Sequence, residues 1–306
     1  MAMRRIWGGI EGGGTKFVCL LGGGPDDVLT SATIPTTTPS ETLAAVARFF
    51  AERLASTDDL ALAGLGIACF GPLDLDPASP TYGTITTTSK LDWPGTDVVG
   101  YFRQRFDVPI GWDTDVNGAA LAEQRWGAAR GLSSAVYFTV GTGIGGGALV
   151  NGQPLHGLVH PEMGHIPIVP LPGHAELGVC PYHGGRCLEG LASGPALAAR
   201  AGRPAQTVPP DDLLWDDEAR YLAQGAAVAA LMLSPQRIIF GGGVLKQRQL
   251  WSLIRTHFLD VLHGYVRHPA ILHGIESYLV PPLLGDRAGV LGALALARAA
   301  SGDPPE

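Results

Sequence analysis

The sequence predicts an α/β protein built from two related halves. Three observations lead there. The chain is long enough for two domains, strand and helix patterns alternate along it, and twice a short apolar run ends in a glycine loop that leads into a second apolar run. At ~150 residues per domain, 306 residues make two domains or one large α/β unit. Hydrophobic residues make up 46% and charged residues 16%, with a mean hydropathy of +0.18, which excludes the disordered class. Glycine accounts for 43 residues, about twice the ~7% usual share, without any collagen-like period.

The elements follow in order. Ile6–Ile10 and Phe17–Leu21 read as the two strands of a hairpin around Glu11-Gly12-Gly13-Gly14-Thr15-Lys16. Residues 41–55 read as a helix with Ser40 as its cap and an apolar face of Leu43, Val46, Ala47, Phe50 and Leu54. Leu60–Phe70 is a buried strand stopped by Gly71-Pro72, and the Thr-rich residues 79–89 form a loop or edge hairpin. A strand at Val108–Trp112 hands over to a helix at Val116–Trp126, with Asp113-Thr114-Asp115 between them. Ala135–Val140, the Gly141–Gly147 loop and Ala148–Val150 repeat the opening hairpin, which implies two halves that each offer a phosphate-contacting loop. Ser193–Ala201 and Asp216–Leu233 are helical, Arg237–Phe240 is a strand running into Gly241-Gly242-Gly243, and Gly285–Ala300 is a final helix packed on the first half. The expected domains are 1–115 together with 285–306, and 116–284.

Charge narrows the partners. With 21 Lys+Arg against 28 Asp+Glu the net charge is −7, and no basic cluster is present, so a small molecule is a better ligand than nucleic acid. The Ala288–Ala297 apolar stretch falls short of the ~18 residues that span a bilayer. The opening MAMRRIWGGIEGGG has no apolar run of the ~7–15 residues that a secretory signal needs, so the expected compartment is the cytoplasm.

Several groups of residues carry chemistry. Gly12-Gly13-Gly14-Thr15-Lys16 lacks the spacing of a P-loop and enters a strand; it is either a tight turn or a phosphate loop in which Thr15 and Lys16 meet phosphate and Glu11 positions Mg²⁺. Asp115 is either a helix cap or a general base that takes the proton of an attacking alcohol, with Asn117 nearby and Asp113 as the alternative base. His165, Cys180, His183 and Cys187 have the chemistry of a closed Cys₂His₂ zinc site, against the alternatives of a Cys180–Cys187 disulfide or free thiols. His156, His160 and His174 are spare candidates for a ligand position, and Cys19 and Cys69 are buried strand residues. Glu162 and Glu189 flank the cluster, either as surface acids or as groups that bind sugar hydroxyls on a loop stapled by the metal.

Four of these motifs, Ile10–Lys16, Asp113–Asn117, Gly141–Gly147 with Glu162-x-x-His165, and Cys180…Cys187-Leu188-Glu189, stand in an order that resembles the ROK family of repressors and sugar kinases over residues 6–297, specifically its fructokinase-like branch. The resemblance implies an actin-like or hexokinase-like ATPase fold, with two α/β domains around a cleft that closes on sugar and ATP, often as a homodimer. It implies Asp115 as the catalytic base. It places Glu162, His165 and Glu189 at the sugar, with Asn117, Gly71, Pro72 and the Lys90-Leu91-Asp92-Trp93 stretch on the same side. Glu11, Gly13, Gly14, Thr15, Lys16, Thr142 and Gly143 fall at phosphate-loop positions, Gly241, Gly242 and Gly243 beside adenosine, and His165, Cys180, His183 and Cys187 on zinc. Glu11 in place of Asp, Thr114 in place of Asn and His183 in place of a third Cys are associated with fructokinases. The repressor members carry an N-terminal DNA-binding arm, for which the few residues before the first glycine loop leave no room. The implied activity is Mg-ATP-dependent phosphorylation of D-fructose; a broader hexokinase or mannokinase and a non-catalytic sugar sensor are the alternatives.

Overall fold

The computed structural model describes residues 3–57, 59–88, 90–174, 176 and 178–303. Ser89 of the expected Thr-rich loop and residues 304–306 of the expected C-terminal piece lie outside them. Two compact units are present: one takes in the chain up to Gly131, the short segment Pro154–His160 and the chain from Arg287 on, and the other takes in Leu132–Gln153 and Pro161–Asp286.

The first unit is built on a five-stranded sheet of β1 (Arg4–Gly12), β2 (Lys16–Gly24), β3 (Asp27–Pro35), β4 (Leu60–Cys69) and β5 (Ile110–Thr114), in the order β3-β2-β1-β4-β5. β1, β2 and β3 form an antiparallel meander, while β4 and β5 run parallel to β1. The opening hairpin is therefore longer at both ends than its apolar runs suggest, because backbone pairing continues through Glu11 and Gly12 to Phe17. Helix α1 (Pro39–Ala55) buries Leu43, Val46, Ala47 and Phe50 as its spacing predicts. Its cap is Thr38 rather than Ser40: Pro39 suits the first helical position, so the helix begins earlier and the Thr38 hydroxyl receives the Glu41 N–H at 3.4 Å. The short α2 is Val98–Arg103, and α3 is Asp115–Trp126.

The two faces of this sheet are packed differently. Side chains alternate along β4, so Leu65 and Ile67 join a core of large groups that includes Phe17, Phe50, Trp93 and Phe102. Gly66 and Ala68 face the other way, toward the C-terminal helix (Ala288–Ala300). A Cβ at Gly66 would overlap the Ala293 carbonyl, and one at Gly292 would overlap the backbone of Gly118 in α3, so these elements meet backbone to backbone. Trp7 of β1 fastens the far end of the helix by donating from Nε1 to Ser301 Oγ at 2.8 Å. This packing also corrects the expected domain boundary at 115/116. Helix α3 lies against the C-terminal helix, so it belongs with the first unit, and the division falls after Gly131. The second division falls at Asp286/Arg287, close to the expected residue 285.

The second unit repeats the strand plan. β6 (Ala135–Val140), β7 (Ile144–Val150), β8 (Gln153–Pro154), β9 (Arg237–Gly241) and β10 (Leu279–Val280) are ordered β8-β7-β6-β9-β10. As in the first sheet, the first two strands are antiparallel and the last two run parallel to the first. The turn between β6 and β7 is only Gly141-Thr142-Gly143, since Gly145–Gly147 pair within β7 rather than forming the expected longer loop. Phe138 and Phe240 stack across β6 and β9 with centroids 5.0 Å apart. Helices α4 (Leu188–Ala192), α5 (Gly194–Ala201), α6 (Leu214–Leu233) and α7 (Leu250–Leu262) surround this sheet, followed by the short α8 (Pro269–Leu272) and α9 (Ile275–Tyr278). Among the described residues, no helix is long and apolar enough to cross a membrane.

Gly66→Ala should lower stability by about 1–3 kcal/mol by forcing the C-terminal helix off the sheet, read as a shift in the denaturant midpoint. A wild-type midpoint would show that the two backbones are not in close contact.

Candidate active site and metal centre

In the first unit the functional side chains gather where β1 and β5 end. Thr114 closes β5 and caps α3, its hydroxyl accepting the Asn117 N–H at 3.1 Å. Asp115 is thus the first residue of the helix and not its cap, which leaves its carboxylate available for other work. One of its oxygens, Oδ1, accepts the Val116 N–H at 2.9 Å. Burial pushes the Asp115 carboxyl up to about 6, outweighing the backbone N–H groups that favour the charged form.

Glu11, at the end of β1, has its carboxylate over Gly289 at the start of the C-terminal helix, where it accepts a backbone bond from Val290. Burial first, then the charge of Asp115, push Glu11 up to about 7, while Lys16 and the Val290 N–H pull it down. The two carboxyls therefore share one electrostatic environment and compete for charge. The adjoining turn is tight, with the Gly13 N–H donating to the Lys16 carbonyl at 2.9 Å, and it leaves Gly13 and Gly14 half-buried and Thr15 and Lys16 exposed. Thr36 braces the turn through a 2.7 Å bond from its hydroxyl to the Gly13 carbonyl.

Asp113, the alternative base, is 2% exposed and is the hub of a polar cluster. Its Oδ1 accepts Asn117 Nδ2 at 2.8 Å, and its Oδ2 lies 2.9 Å from His156 Nε2. Asn117 is itself 1% exposed, so its amide supports Asp113, and its Oδ1 is buried with no hydrogen-bond partner. Gly71 lies against the ring of His160, whose Nε2 accepts the Leu73 N–H at 3.0 Å.

In the second unit the β6–β7 turn is ringed by backbone. The Gly141 carbonyl accepts the N–H of Gly194 at the start of α5 at 2.8 Å. Glu189 Oε2 accepts the Ile144 N–H at 2.9 Å and occupies the space that a Cβ on Gly143 would enter. Gly242 has φ 93° and lies against the Val140 backbone, so the Gly241–Gly243 loop adjoins the same turn. Thr142 is exposed. Glu162 is exposed and leads into a single helical turn, Met163–His165, closed by the His165 N–H to the Glu162 carbonyl at 2.9 Å.

That turn delivers His165 to the Cys/His cluster. Cys180 Sγ stands 3.8 Å from His165 Nδ1 and 3.4 Å from His183 Nδ1, and Cys187 Sγ stands 3.6 Å from His165 Nδ1. All four ligand atoms lie within 4.8 Å of one another. A tetrahedral centre with bonds of ~2.0–2.3 Å separates its ligands by roughly 3.3–3.8 Å, so the set fits a zinc ion. Both cysteines are free, so no disulfide joins them. Without a cation, burial pushes the Cys187 thiol up to about 11; a bound cation favours the thiolate instead. The three spare histidines are engaged elsewhere: His156 with Asp113, His160 with Leu73, and His174 with the Tyr221 hydroxyl at 2.9 Å. The far nitrogen of His165, Nε2, lies 3.9 Å from Glu189 Oε1, which ties the cluster to the acid beside the glycine turn.

The ROK family pattern matches residues 7–300. The chain belongs to the ROK family. Among its relatives, this ROK protein is 46% identical over 300 residues to a fructokinase of Zymomonas mobilis, covering 97% of this chain and 98% of that one. Its structure resembles a ROK hexokinase from Thermus thermophilus with a TM-score of 0.75 and 28% identity, covering 98% and 100% of the two chains. It also resembles a ROK glucokinase from Streptomyces griseus crystallised with glucose and AMPPNP, with a TM-score of 0.72 and 25% identity over 96% and 99%. The fold of the ROK protein is the actin-like ATPase fold, α/β in class, with a mixed sheet in each unit. Sequence reasoning did not find the Asp113–His156 pair, whose members are 43 residues apart. Nor did it find the Val290 N–H beneath Glu11, which only the packing of the C-terminal helix brings there.

The raised carboxyl of Asp115 has a consequence for stability. A carboxyl lifted from the usual ~3.9 to about 6 destabilises the folded chain fully above pH 6, and the cost fades as pH falls toward 4. Asp115→Asn keeps the Val116 bond and removes the charge, so it should raise stability at pH 8 by on the order of 1–2 kcal/mol, with a smaller gain at pH 4.5. A lower midpoint at pH 8, measured by thermal unfolding, would show that the carboxylate is not desolvated.

Proposed function

We propose that this ROK protein transfers the terminal phosphoryl group of ATP to the C6 hydroxyl of D-fructose. The observation that carries the reading is Asp115: a desolvated carboxyl at about 6, at the end of a parallel strand and the start of a helix, is ionised at neutral pH yet basic enough to take an alcohol proton. The choice of fructose rests on the full-length likeness to the Zymomonas mobilis fructokinase.

Asp115 accepts the hydroxyl proton as the sugar oxygen attacks the γ-phosphorus. Gly13, Gly14, Thr15 and Lys16 hold phosphate oxygens from the first unit; Thr142 and Gly143 do so from the second, with Gly241, Gly242 and Gly243 beside the adenosine. Glu11 would hold Mg²⁺, directly or through water, and its raised carboxyl fits that role, since a cation there would relieve the repulsion between Glu11 and Asp115. Mg²⁺ neutralises the β- and γ-phosphate charge when bound. Glu162, His165 and Glu189 orient the sugar, with the loop at Gly71 and Pro72 and the support of Asn117. His165, Cys180, His183 and Cys187 would hold zinc, which would fix the sugar loop and take no part in the chemistry. The setting is the cytoplasm, where ATP is supplied.

We further propose a homodimer. An apolar groove of about 350 Å³ on the second unit, lined by Ile168, Val169, Ala227, Leu231 and Val261, is a surface that a second copy would cover.

ADP release with Mg-ATP should be fastest with fructose among fructose, mannose, glucose and N-acetylated hexosamines. Asp115→Asn should cut kcat by ~10²–10⁴-fold, and wild-type kcat/KM should fall about tenfold per pH unit below about 6. Faster turnover of another hexose would move the sugar assignment, and near-wild-type kcat for Asp115→Asn would remove the base. Native mass spectrometry should find two chains and two zinc ions per particle; a monomer overturns the dimer, and a metal-free dimer overturns the zinc site.

A further inference from the structure

The segment Pro154–His160 clusters with the first unit although the chain on both sides of it belongs to the second. Two histidines pin it there. His160 Nε2 accepts the Leu73 N–H at 3.0 Å, and His156 Nε2 lies 2.9 Å from Asp113 Oδ2. Asp113 is almost wholly buried, and its Oδ1 is already taken by Asn117 Nδ2 at 2.8 Å and the Thr114 N–H at 2.7 Å. Its Oδ2 is left for His156. An ionised carboxylate only accepts, so Nε2 of His156 carries a proton and the ring is oriented by that bond.

The opposite edge of the ring is uncommitted. No described residue is paired with His156 Nδ1, and the side chain is 42% exposed. Two neighbouring polar side chains are buried: the Thr114 hydroxyl caps α3, and Asn117 donates its Nδ2 to Asp113. Held on Asp113, two residues before Asp115, the His156 imidazole thus presents a ring nitrogen with no described partner. Asp113 also holds this ring above the usual histidine range, chiefly through their hydrogen bond, which favours Nδ1 as a donor.

We infer that His156, oriented by Asp113, is a specificity-determining residue whose Nδ1 edge hydrogen-bonds a hydroxyl of the hexose. Asp113 is then a positioning residue, and the buried Asn117 holds it in turn. The inference rests on the sugar-kinase reading and goes beyond it by assigning a sugar contact on the first unit, outside Glu162, His165 and Glu189. A hydroxyl bonded to a fixed imidazole selects among hexoses by its position, because an analogue that cannot meet the ring leaves a polar group unmatched.

Glutamine at position 156 separates this role from a merely structural one. Its amide reaches the place of Nε2 and keeps a donor for Asp113, but leaves nothing at Nδ1. His156→Gln should raise KM for fructose about tenfold or more, with a smaller change in kcat and no change in KM for ATP. Its melting temperature should stay with the wild type. Among monodeoxy fructoses, one should bind the wild type as weakly as fructose binds His156→Gln, and should lose nothing further in the variant, since both changes remove the same bond. A wild-type KM for fructose in His156→Gln overturns the contact, as does an equal further loss with every deoxy analogue. Wild-type protein that turns over no hexose sinks the kinase reading instead, so the two failures are distinguishable.

Discussion

The C-terminal helix lies on the first sheet with no side-chain layer between them, because Gly66 and Ala68 face it from β4 and Gly118 of α3 meets Gly292 from the side. That close approach sets the surroundings of the two raised carboxyls. It brings the start of the helix, with its unpaired N–H groups, under the Glu11 carboxylate at the end of β1. It also holds α3 against the same helix, so that Asp115 begins α3 in a half-buried position where desolvation raises its carboxyl. Bulkier residues in the interface would separate helix and sheet, let water in and return both carboxyls toward ordinary acidity.

The two carboxyls respond differently to one environment. Both are raised by burial, yet Glu11 is raised further because it also feels Asp115 and has only Lys16 and one N–H to offset the repulsion. In the proposed reaction a cation would relieve Glu11, and Asp115 would take up the proton of the alcohol. In the second unit the order is reversed: fixed backbone N–H groups around Gly141–Gly143 come first, and the acid Glu189 is fastened to that turn by the Ile144 N–H. Cys187 caps α4, in which Glu189 lies, by accepting the Gly190 N–H at 3.3 Å. A metal on Cys187 and His165 would therefore fix the start of the helix that carries the acid and the imidazole that faces it.

Much of this was legible in the sequence. The repeated hairpin pointed to two related sheets, and the identical strand order of the two units bears that out. The spacing of Leu43, Val46, Ala47 and Phe50 set the buried face of α1. His165, Cys180, His183 and Cys187 could be grouped by type and spacing alone, since three of the four lie in one short loop. Less legible was the purpose of the glycines. Outside the glycine clusters that suggest phosphate loops, Gly66 and Gly292 serve the close approach of helix and sheet, for which a single glycine in an apolar run leaves no clear pattern. His156 was read as a spare metal ligand and is instead the partner of a buried aspartate.

The sequence by itself determined what is local: strand and helix periods, the tight glycine turns, and the residue types offered at each motif, because these depend on neighbours a few positions apart. Tertiary structure alone decided which carboxyl is dry, which histidine meets Asp113, and that α3 stays with the first unit. Those outcomes depend on water exclusion and on contacts between residues tens to hundreds of positions apart, and the folded chain creates both only when its layers have packed.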